Sequence, residues 1–526
     1  MARLTDDEGS GLPGRTWRDR EAAARRRGVV LDPSLASDDE GELHATVYEP
    51  DVLLVYPPEG TDGSDVVRAL GEIAGEAGWS VAEEPLADPP RSGRARADRL
   101  PALPSAARTV RVRIQPSADA SGPERRPDAW QLLRAARRRG IAGVTLNHVL
   151  SIGPFTGNPF TGNPFTGNPF TGNPFTGNPF TGNAGGMSAY ALPGFGGRQP
   201  VVYTGPRPPR TDMAPGARPV VAVLDTGCGI HSWLDGDVLV TAPELGGTIG
   251  IDDPVTDPET NPSLGDPLDG VLDAAAGHGT FIAGIVRQAC PDVRILPVRV
   301  SDGQGVILEK DLLAALGQLV ALLEGGTRID VINLSLGYYH ESAGSVSSID
   351  GELYDLLARA RRAGCVVVCS AGNDATDRPS SPAALYAWKG EDCVIKPEDE
   401  KGLAPHVVVG ALNPSGASVA LFSNVGPWVR TYARGVSVVS TMPEFEAAVQ
   451  GDLSDVDYGR LRETLDIDDF RGGFGVWSGT SFAAPLVAGR IAAQIAASKG
   501  VAAAGIEAIV AAAVAEIDDE DHSRTT

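Results

Sequence analysis

The pattern of apolar and polar positions changes near residue 210. From there on, short apolar runs rich in Val, Ile and Ala alternate with stretches of helical periodicity. Near-continuous apolar strands that alternate with helices predict a mostly parallel sheet covered by helices on both faces. The predicted strands are 220–224, 295–300, 331–336, 366–369 and 407–411, and the predicted helices are 279–288, 309–323 and 351–363.

The segment 46–152 has a different pattern. Its apolar runs and helical stretches follow one another in the order βαββαβ, which predicts a small α+β domain with a ferredoxin-like plan. The predicted strands are 52–56, 80–84, 109–114 and 144–150, with helices at 64–77 and 128–139. Residues 1–45 are polar and acidic, so we expect them to be disordered.

A perfect repeat separates the two regions. The sequence Pro-Phe-Thr-Gly-Asn occurs six times in succession from Pro154 to Asn183. Proline removes a backbone donor in every copy and Gly-Asn favours turns, so neither a helix nor a strand can propagate. We therefore predict a flexible linker over 153–209. The repeats are either a spacer, or a multivalent binding tract or run of accessible cleavage sites that each offer a Phe.

Charge and composition narrow the possible partners. The formal net charge is −23, which argues against binding to nucleic acid or to anionic membrane surfaces. The first thirty residues contain no apolar run of the kind that a secretory signal needs, and no stretch predicts a membrane helix. We therefore expect a cytoplasmic protein, with export by a non-classical route left open. The five cysteines, an odd number, argue against a disulfide framework.

Four short motifs carry the candidate chemistry. They are Val-Ala-Val-Leu-Asp-Thr-Gly around Asp225, Gly-His-Gly-Thr around His278, Ser-Ala-Gly-Asn ending at Asn373, and Ser-Gly-Thr-Ser-Phe-Ala-Ala-Pro around Ser481. The order Asp, His, Ser is one of the known orders of the catalytic triad. Together the motifs resemble those of the subtilisin-like serine proteases (subtilases, peptidase family S8) over roughly 219–497.

The resemblance assigns a role to each motif. Asp225 would hold the imidazole of His278, which would act as general base and then general acid, and Ser481 would be the nucleophile. The oxyanion hole would consist of the Ser481 N–H and the Asn373 amide. We expect Ser481 at a helix start, with Pro485 tolerated in the first turn. The histidines without such a setting are interpreted as structural or surface residues: His148, His231 and His406.

The resemblance also implies a substrate cleft with two backbone walls. One wall would pair with the extended substrate and the other would line the primary specificity pocket; they are Ser335, Leu336 and Gly337, and Ser370, Ala371 and Gly372. The implied fold is a subtilisin-like three-layer α/β fold over 210–500, followed by a helix and acidic tail over 501–526. The chemistry requires no cofactor. Structural calcium is common in the family, but Asp252, Asp253 and Asp257 form no clear motif for it.

Position and topology also suggest a role for the segment 46–152. Subtilase propeptides, which chaperone and inhibit their proteases, share its plan and its place in the chain, and an unrelated small α+β domain is the alternative. The predicted function is a serine endopeptidase that acts on protein or peptide substrates and has its own N-terminal domain as an intramolecular partner. The alternative is a catalytically silent protein that keeps the fold for peptide binding or as a scaffold.

Overall fold

The computed structural model describes two units that pack against each other. The N-terminal unit comprises 28–31, 43–58, 60–86, 100–117 and 126–152, and the larger unit comprises 197–264, 272–341, 351–390, 392–445, 454–498 and 505–522. The repeats at 154–183 and most of 1–45 lie outside the described residues, so the predictions for them stay predictions. The elements of the N-terminal unit are β1 (Val29–Leu31), β2 (Thr46–Val55), α1 (Ser64–Glu76), β3 (Trp79–Glu84), β4 (Val110–Pro116), α2 (Ala129–Arg138) and β5 (Val144–Ile152).

The larger unit alternates strands and helices over most of its length. Its strands are β6 (Gln199–Pro200), β7 (Val220–Asp225), β8 (Arg294–Arg299), β9 (Val306–Leu308), β10 (Val331–Leu334), β11 (Leu336–Gly337), β12 (Val366–Ser370), β13 (His406–Leu412), β14 (Thr431–Arg434), β15 (Val438–Thr441), β16 (Ser454–Asp457), β17 (Arg460–Glu463) and β18 (Phe474–Trp477). Its helices are α3 (Ala242–Leu245), α4 (His278–Ala289), α5 (Glu309–Glu324), α6 (Gly351–Arg362), α7 (Thr480–Ala497) and α8 (Ile506–His522).

A six-stranded sheet forms the centre of the larger unit. Its order is β14-β13-β12-β10-β7-β8, and every neighbouring pair is parallel. Along β7, Val221 and Val223 face a core that includes α4 and α7, whereas Ala222 and Leu224 face one that includes α5 and α6. Both faces of the strand are buried, which explains the unbroken apolar run. The predicted α/β fold with helices on both faces is thus confirmed.

The N-terminal unit has an antiparallel sheet in the order β5-β2-β4-β3, with α1 and α2 packed on it. Its elements follow the expected strand–helix–strand–strand–helix–strand order. The prediction of disorder for 1–45 is wrong at one place, because β1 pairs with β2 through Val29–Leu31. These three apolar residues extend the sheet at an edge, although their polar flanks hide the signal in the sequence.

The two units share main-chain hydrogen bonds. The end of β5 lies between β9 and β11 of the larger unit and pairs antiparallel with both. The N-terminal unit also contacts the first turns of α5 and α6. The Oδ1 of Asn147 accepts the Lys310 N–H in the first turn of α5 at 3.0 Å, and the Arg108 N–H donates to Glu352 in the first turn of α6 at 3.1 Å. The first-turn groups of two helices therefore find their partners across the boundary.

Two predicted boundaries of the larger unit are wrong. The linker does not extend to residue 209, because β6 pairs with β18 and Tyr203 stacks on Phe474 at 4.8 Å between ring centroids. The C-terminal helix is not a separate tail either, because α8 places Ile509 and Ala513 in the same core as α7. Sparse apolar residues among Gly, Pro or acidic neighbours conceal both contacts in the sequence. None of the helices in the described ranges is long and apolar enough to span a membrane.

Candidate active site

The carboxyl end of β7 and the start of α4 bring Asp225 and His278 together. The Nδ1 of His278 lies 2.8 Å from Oδ1 and 2.9 Å from Oδ2 of Asp225, and both side chains are fully buried. The carboxylate also accepts the Thr226 N–H at 2.8 Å. An anionic acceptor at Nδ1 favours the tautomer that carries its proton there, so Nε2 is left as a proton acceptor.

Glycine is required beside the histidine because the two segments approach closely. A Cβ on Gly279 would lie 2.1 Å from the carbonyl oxygen of Gly227. A contact this short would force the backbone of β7 and α4 apart. The flanking glycine of the Gly-His-Gly-Thr motif therefore preserves the distance between His278 and Asp225.

Ser481 lies in the first turn of α7, and Pro485 further along the same helix changes the hydrogen bonding of its carbonyl. Pro485 lies beyond the first turn of the helix, which begins at Thr480, so the expectation about its place is wrong. Because proline has no N–H, the carbonyl of Ser481 loses its normal partner four residues on. The hydroxyl of Ser335 donates to that carbonyl at 3.0 Å instead. Ser335, predicted for a substrate-binding wall, thus also fixes the backbone of Ser481.

The amide of Asn373 is oriented by Thr480. Its Oδ1 accepts the backbone N–H and the hydroxyl of Thr480, both at 2.9 Å. Two donors on one side of the amide identify that side as the oxygen, so Nδ2 points the other way. The hydroxyl of Thr480 in turn accepts the Gly372 N–H at 3.1 Å.

Three buried side-chain atoms of the predicted triad and oxyanion residues have no hydrogen-bond partner among the described residues. They are Nε2 of His278, Oγ of Ser481 and Nδ2 of Asn373. Buried polar groups are nearly always paired, so each exception needs an explanation. Here the three atoms are a proton acceptor, a hydroxyl and a proton donor, which are the groups that an acyl transfer uses.

The predicted substrate-binding residues fall at strand ends near these atoms. Leu336 and Gly337 pair with Ile152 and Ser151, so the end of β5 covers this wall. On the opposite side of β5, the Ile152 N–H donates to the carbonyl of Gly305 at 2.8 Å. The remaining predicted wall follows β12, where the Asn424 amide donates to the carbonyl of Ala371 at 2.9 Å.

One buried acid near the site was not identified from the sequence. Glu259 lies in the acidic segment 252–273, and its carboxylate accepts the Gly279 N–H at 3.2 Å and the Thr280 hydroxyl at 2.6 Å. It also accepts the hydroxyl of Thr226. It therefore joins the residues that flank Asp225 to those that flank His278. No motif distinguishes Glu259 from its acidic neighbours, so the sequence offers no signal for it.

The environment of Glu259 changes its ionisation. Burial raises its pKa to about 7, and the negative charge of Asp225 contributes to the rise, whereas the hydrogen bonds from Thr226 and Thr280 oppose it.

Two of the acids considered for calcium form hydrogen bonds within their own turns. Asp253 and Asp257 accept backbone N–H groups of their own turns, from Val255 at 3.2 Å and from Glu259 at 3.0 Å.

The raised pKa of Glu259 predicts a pH-dependent stability. The folded carboxyl takes up its proton near pH 7 and the unfolded one near its ordinary value of 4.5, so the folded chain binds more protons between these values. The contribution of Glu259 to the free energy of unfolding therefore falls as the pH rises through this window. Glu259→Gln cannot titrate at this position. The free energy of unfolding of the wild type minus that of the variant should therefore fall by up to about 3 kcal/mol as the pH rises through this window.

Denaturant unfolding at about pH 5 and about pH 8 measures this difference, with both chains carrying Ser481→Ala. Glu507→Gln, at an exposed position of α8, is the matched control and should give no such trend. A stability difference for Glu259→Gln that is the same at both pH values would contradict the assignment.

Comparisons with known proteins identify the family of this chain. The model of the subtilase family matches residues 216–522, more than half of the chain. The chain is 30% identical over 225 residues to a thermophilic serine proteinase of Bacillus sp. (strain AK1). This alignment covers 42% of this chain and 45% of the relative. The chain is also 26% identical over 311 residues to an extracellular protease of Xanthomonas campestris pv. campestris. That alignment covers 54% of this chain and 45% of the relative.

The chain thus spans less than half the length of these relatives. Among solved structures, a cold adapted subtilisin-like serine proteinase overlaps 55% of this chain and 80% of its own, with 21% identity and a TM-score of 0.35. The family match covers all four motifs and both helices that carry the site, α4 and α7. The chain belongs to the subtilase family.

Proposed function

We propose that this protein is a serine endopeptidase that cleaves peptide bonds with Asp225, His278 and Ser481. The observation that carries the proposal is the set of three buried, unpartnered atoms on His278, Ser481 and Asn373. A catalytically silent protein has no need to keep them, since each unpaired buried polar group costs about 1–3 kcal/mol.

The chemistry follows from the placement of these groups. The Nε2 of His278 takes the proton from Oγ of Ser481 as that oxygen attacks the peptide carbonyl. Asp225, at 2.8 Å from Nδ1, stabilises the imidazolium that results. His278 then donates its proton to the leaving amine, which leaves an acyl-enzyme. Water, activated by the same imidazole, releases the second product and restores the Ser481 hydroxyl.

Two donors are available for the oxyanion of the tetrahedral intermediate. The Ser481 N–H lies in the first turn of α7, where backbone N–H groups have no helical acceptor and the helix dipole favours negative charge. The Nδ2 of Asn373 is the second donor, held in place through its Oδ1 by Thr480. Because both donors are fixed before the reaction, they need no reorganisation in the transition state.

The N-terminal unit restrains the enzyme in this proposal. Its strand β5 uses the main-chain groups of Leu336 and Gly337, which the family resemblance assigns to the extended substrate. A strand and a substrate cannot use the same groups at once, so docking of the unit competes with substrate. The contact between β5 and the larger unit, called the seam below, also has an apolar part, because Leu150 is fully buried in the core that contains α5.

The direction of β5 indicates where the chain meets its own active site. The strand runs antiparallel to β11, so Ser151 faces Gly337 and Ile152 faces Leu336. Ser335 precedes Leu336 in the chain, and its hydroxyl donates to the carbonyl of Ser481. In the sequence, the first Pro-Phe-Thr-Gly-Asn copy begins at Pro154, two residues after Ile152. This supports the interpretation of the repeats as cleavage sites.

Substitutions at the site should separate its roles. Ser481→Ala should abolish peptide hydrolysis, whereas Asn373→Ala should lower kcat about 10²–10³-fold, since one oxyanion donor remains. Asn413→Ala, where the amide bonds the Ser418 hydroxyl on a surface turn and contacts none of the four motifs, is the control and should keep full activity. In every chain of this test, the repeats are replaced by the recognition sequence of an unrelated protease. The linker can then be cut in the same way whether or not the variant is active. Hydrolysis by Ser481→Ala, or full activity of Asn373→Ala, would refute the assignments.

Cleavage at the repeats should leave a periodic product pattern. Mass spectrometry of the purified wild-type chain should find new N-termini within 154–183 spaced by five residues, because the copies are identical. The Ser481→Ala chain should stay intact. Termini at a single position outside the repeats would contradict the repeat assignment alone, whereas cleavage of Ser481→Ala at the same positions would assign the cut to another protease.

Restraint by the N-terminal unit should depend on the apolar seam. Leu150→Asp places a charge in the core against α5, so the unit should dock poorly and a fluorophosphonate probe should label Ser481 at least about 10-fold faster. Ala82→Asp adds the same charge at an exposed position of β3 and serves as the control. Equal labelling of Leu150→Asp, Ala82→Asp and the unaltered chain would exclude restraint through this seam.

A further inference from the structure

A group of metal-ligating side chains lies at the seam between the two units. His148 belongs to β5 of the N-terminal unit, and His340 and Glu341 follow β11 in the larger unit. All three are buried, and their candidate ligand atoms lie within 4.8 Å of one another. We propose that this cluster binds a divalent transition-metal ion of the zinc class and thereby ties the N-terminal unit to the larger one.

The spacing of the ligand atoms suits a tetrahedral ion. The Oε2 of Glu341 lies 2.8 Å from Nε2 of His148 and 3.4 Å from Nδ1 of His340. Zinc binds nitrogen and oxygen at about 2.0–2.2 Å, so two ligands of a tetrahedral site are separated by about 3.3 Å. The two separations from Oε2 of Glu341 are within about half an ångström of this value, and the two histidine ligand atoms lie within 4.8 Å of each other. Two imidazoles and one carboxylate are also a common zinc ligand set, and they leave a fourth position for water.

Neighbouring residues orient two of the ligands. The Oε2 of Glu309 lies 2.6 Å from Nδ1 of His148, so the imidazole donates that proton to a carboxylate and presents Nε2 to the cluster. Such carboxylate–histidine pairs typically support metal-bound imidazoles. On the other side, Arg137 of α2 donates to Oε1 of Glu341 at 2.7 Å, which leaves Oε2 to face the histidines.

The two buried carboxylates around the cluster require positive charge. Glu309 and Glu341 bring two negative charges into a buried site; Arg137 balances one of them, and His148 with protons on both ring nitrogens balances the other when no metal is bound. Arg378 is directed at the backbone, where it donates to the carbonyl of His340 at 2.8 Å. Without a metal, a proton on Nε2 of His148 supplies the bond to Glu341. When the ion binds, this proton is released and the ion takes its place between the same two atoms.

The arrangement would make the seam sensitive to metal. One ligand belongs to the N-terminal unit and two belong to the segment that continues from the substrate-pairing strand β11, so the complete set exists only when the units are docked. An ion that binds only the docked state stabilises it by mass action. This effect on restraint rests on the proposed function, whereas the metal site itself does not.

The test uses the full-length chain with Ser481→Ala, stripped of metal by a chelator and then titrated with Co²⁺. We expect one equivalent to bind with the visible absorption of tetrahedral Co²⁺, and Zn²⁺ to displace it. His148→Ala and Glu341→Gln should each lose that absorption. Glu309→Gln, which changes only the orienting group, should keep it with about 10–100-fold weaker affinity. His231→Asn, at a buried histidine outside the cluster, is the control and should bind normally.

A second measurement keeps the test decisive if a variant does not fold. X-ray absorption of the Zn²⁺-loaded Ser481→Ala chain should show two imidazoles and oxygen ligands around one ion. Absence of stoichiometric binding by this chain, or a ligand shell without imidazole, would overturn the proposal. So would a Co²⁺ spectrum that persists in folded His148→Ala, since the ion would then lie elsewhere.

Discussion

The first turn of α7 depends on hydrogen bonds that come from outside the helix. Pro485 cannot bond the carbonyl of Ser481, and the hydroxyl of Ser335 takes that place. At the helix start, the N–H of Thr480 is bonded by Asn373. Each such bond contributes about 1 kcal/mol net, but a buried group left unpaired costs more. Ser481 is therefore positioned by the ends of β10 and β12 as much as by its own helix.

The central parallel sheet explains why the other residues of the candidate site lie close to Ser481. Side chains at the carboxyl ends of parallel strands lie along one edge, and Asp225, Ser335 and Asn373 all belong to or closely follow such ends. Glu259 adds a connection that the sheet does not supply, because its carboxylate joins the Thr226 and Thr280 hydroxyls. Its burial raises its pKa, so this connection is formed at the expense of desolvating an acid.

The sequence predicted what depends on periodicity and on contiguous motifs. The unbroken apolar runs predicted the central strands, since both faces of those strands are buried. β14 was missed because its residues Thr431–Arg434 alternate between buried and partly exposed positions. The predicted triad, oxyanion and wall residues have favourable surroundings, but their roles stay predictions until activity is measured. Glu259 and the cluster around His148 could not be predicted, because long-range packing brings their partners together from distant segments.

In the proposed restraint, docking of the N-terminal unit is an intramolecular equilibrium, so modest energies are effective. Because both units belong to one chain, their effective concentration is high and the seam need not be strong to stay closed. Each change of about 1.4 kcal/mol in the seam alters the fraction of open molecules tenfold. In the docked state, Asn147 bonds Lys310, and His148 bonds Glu309 and Glu341. Release of the unit therefore exposes these groups to water, which replaces their partners and lowers the cost of opening. A cut in the linker would remove this effective concentration and dilution would favour the open state, so under the proposed restraint a single cleavage would convert a reversible equilibrium into a lasting change.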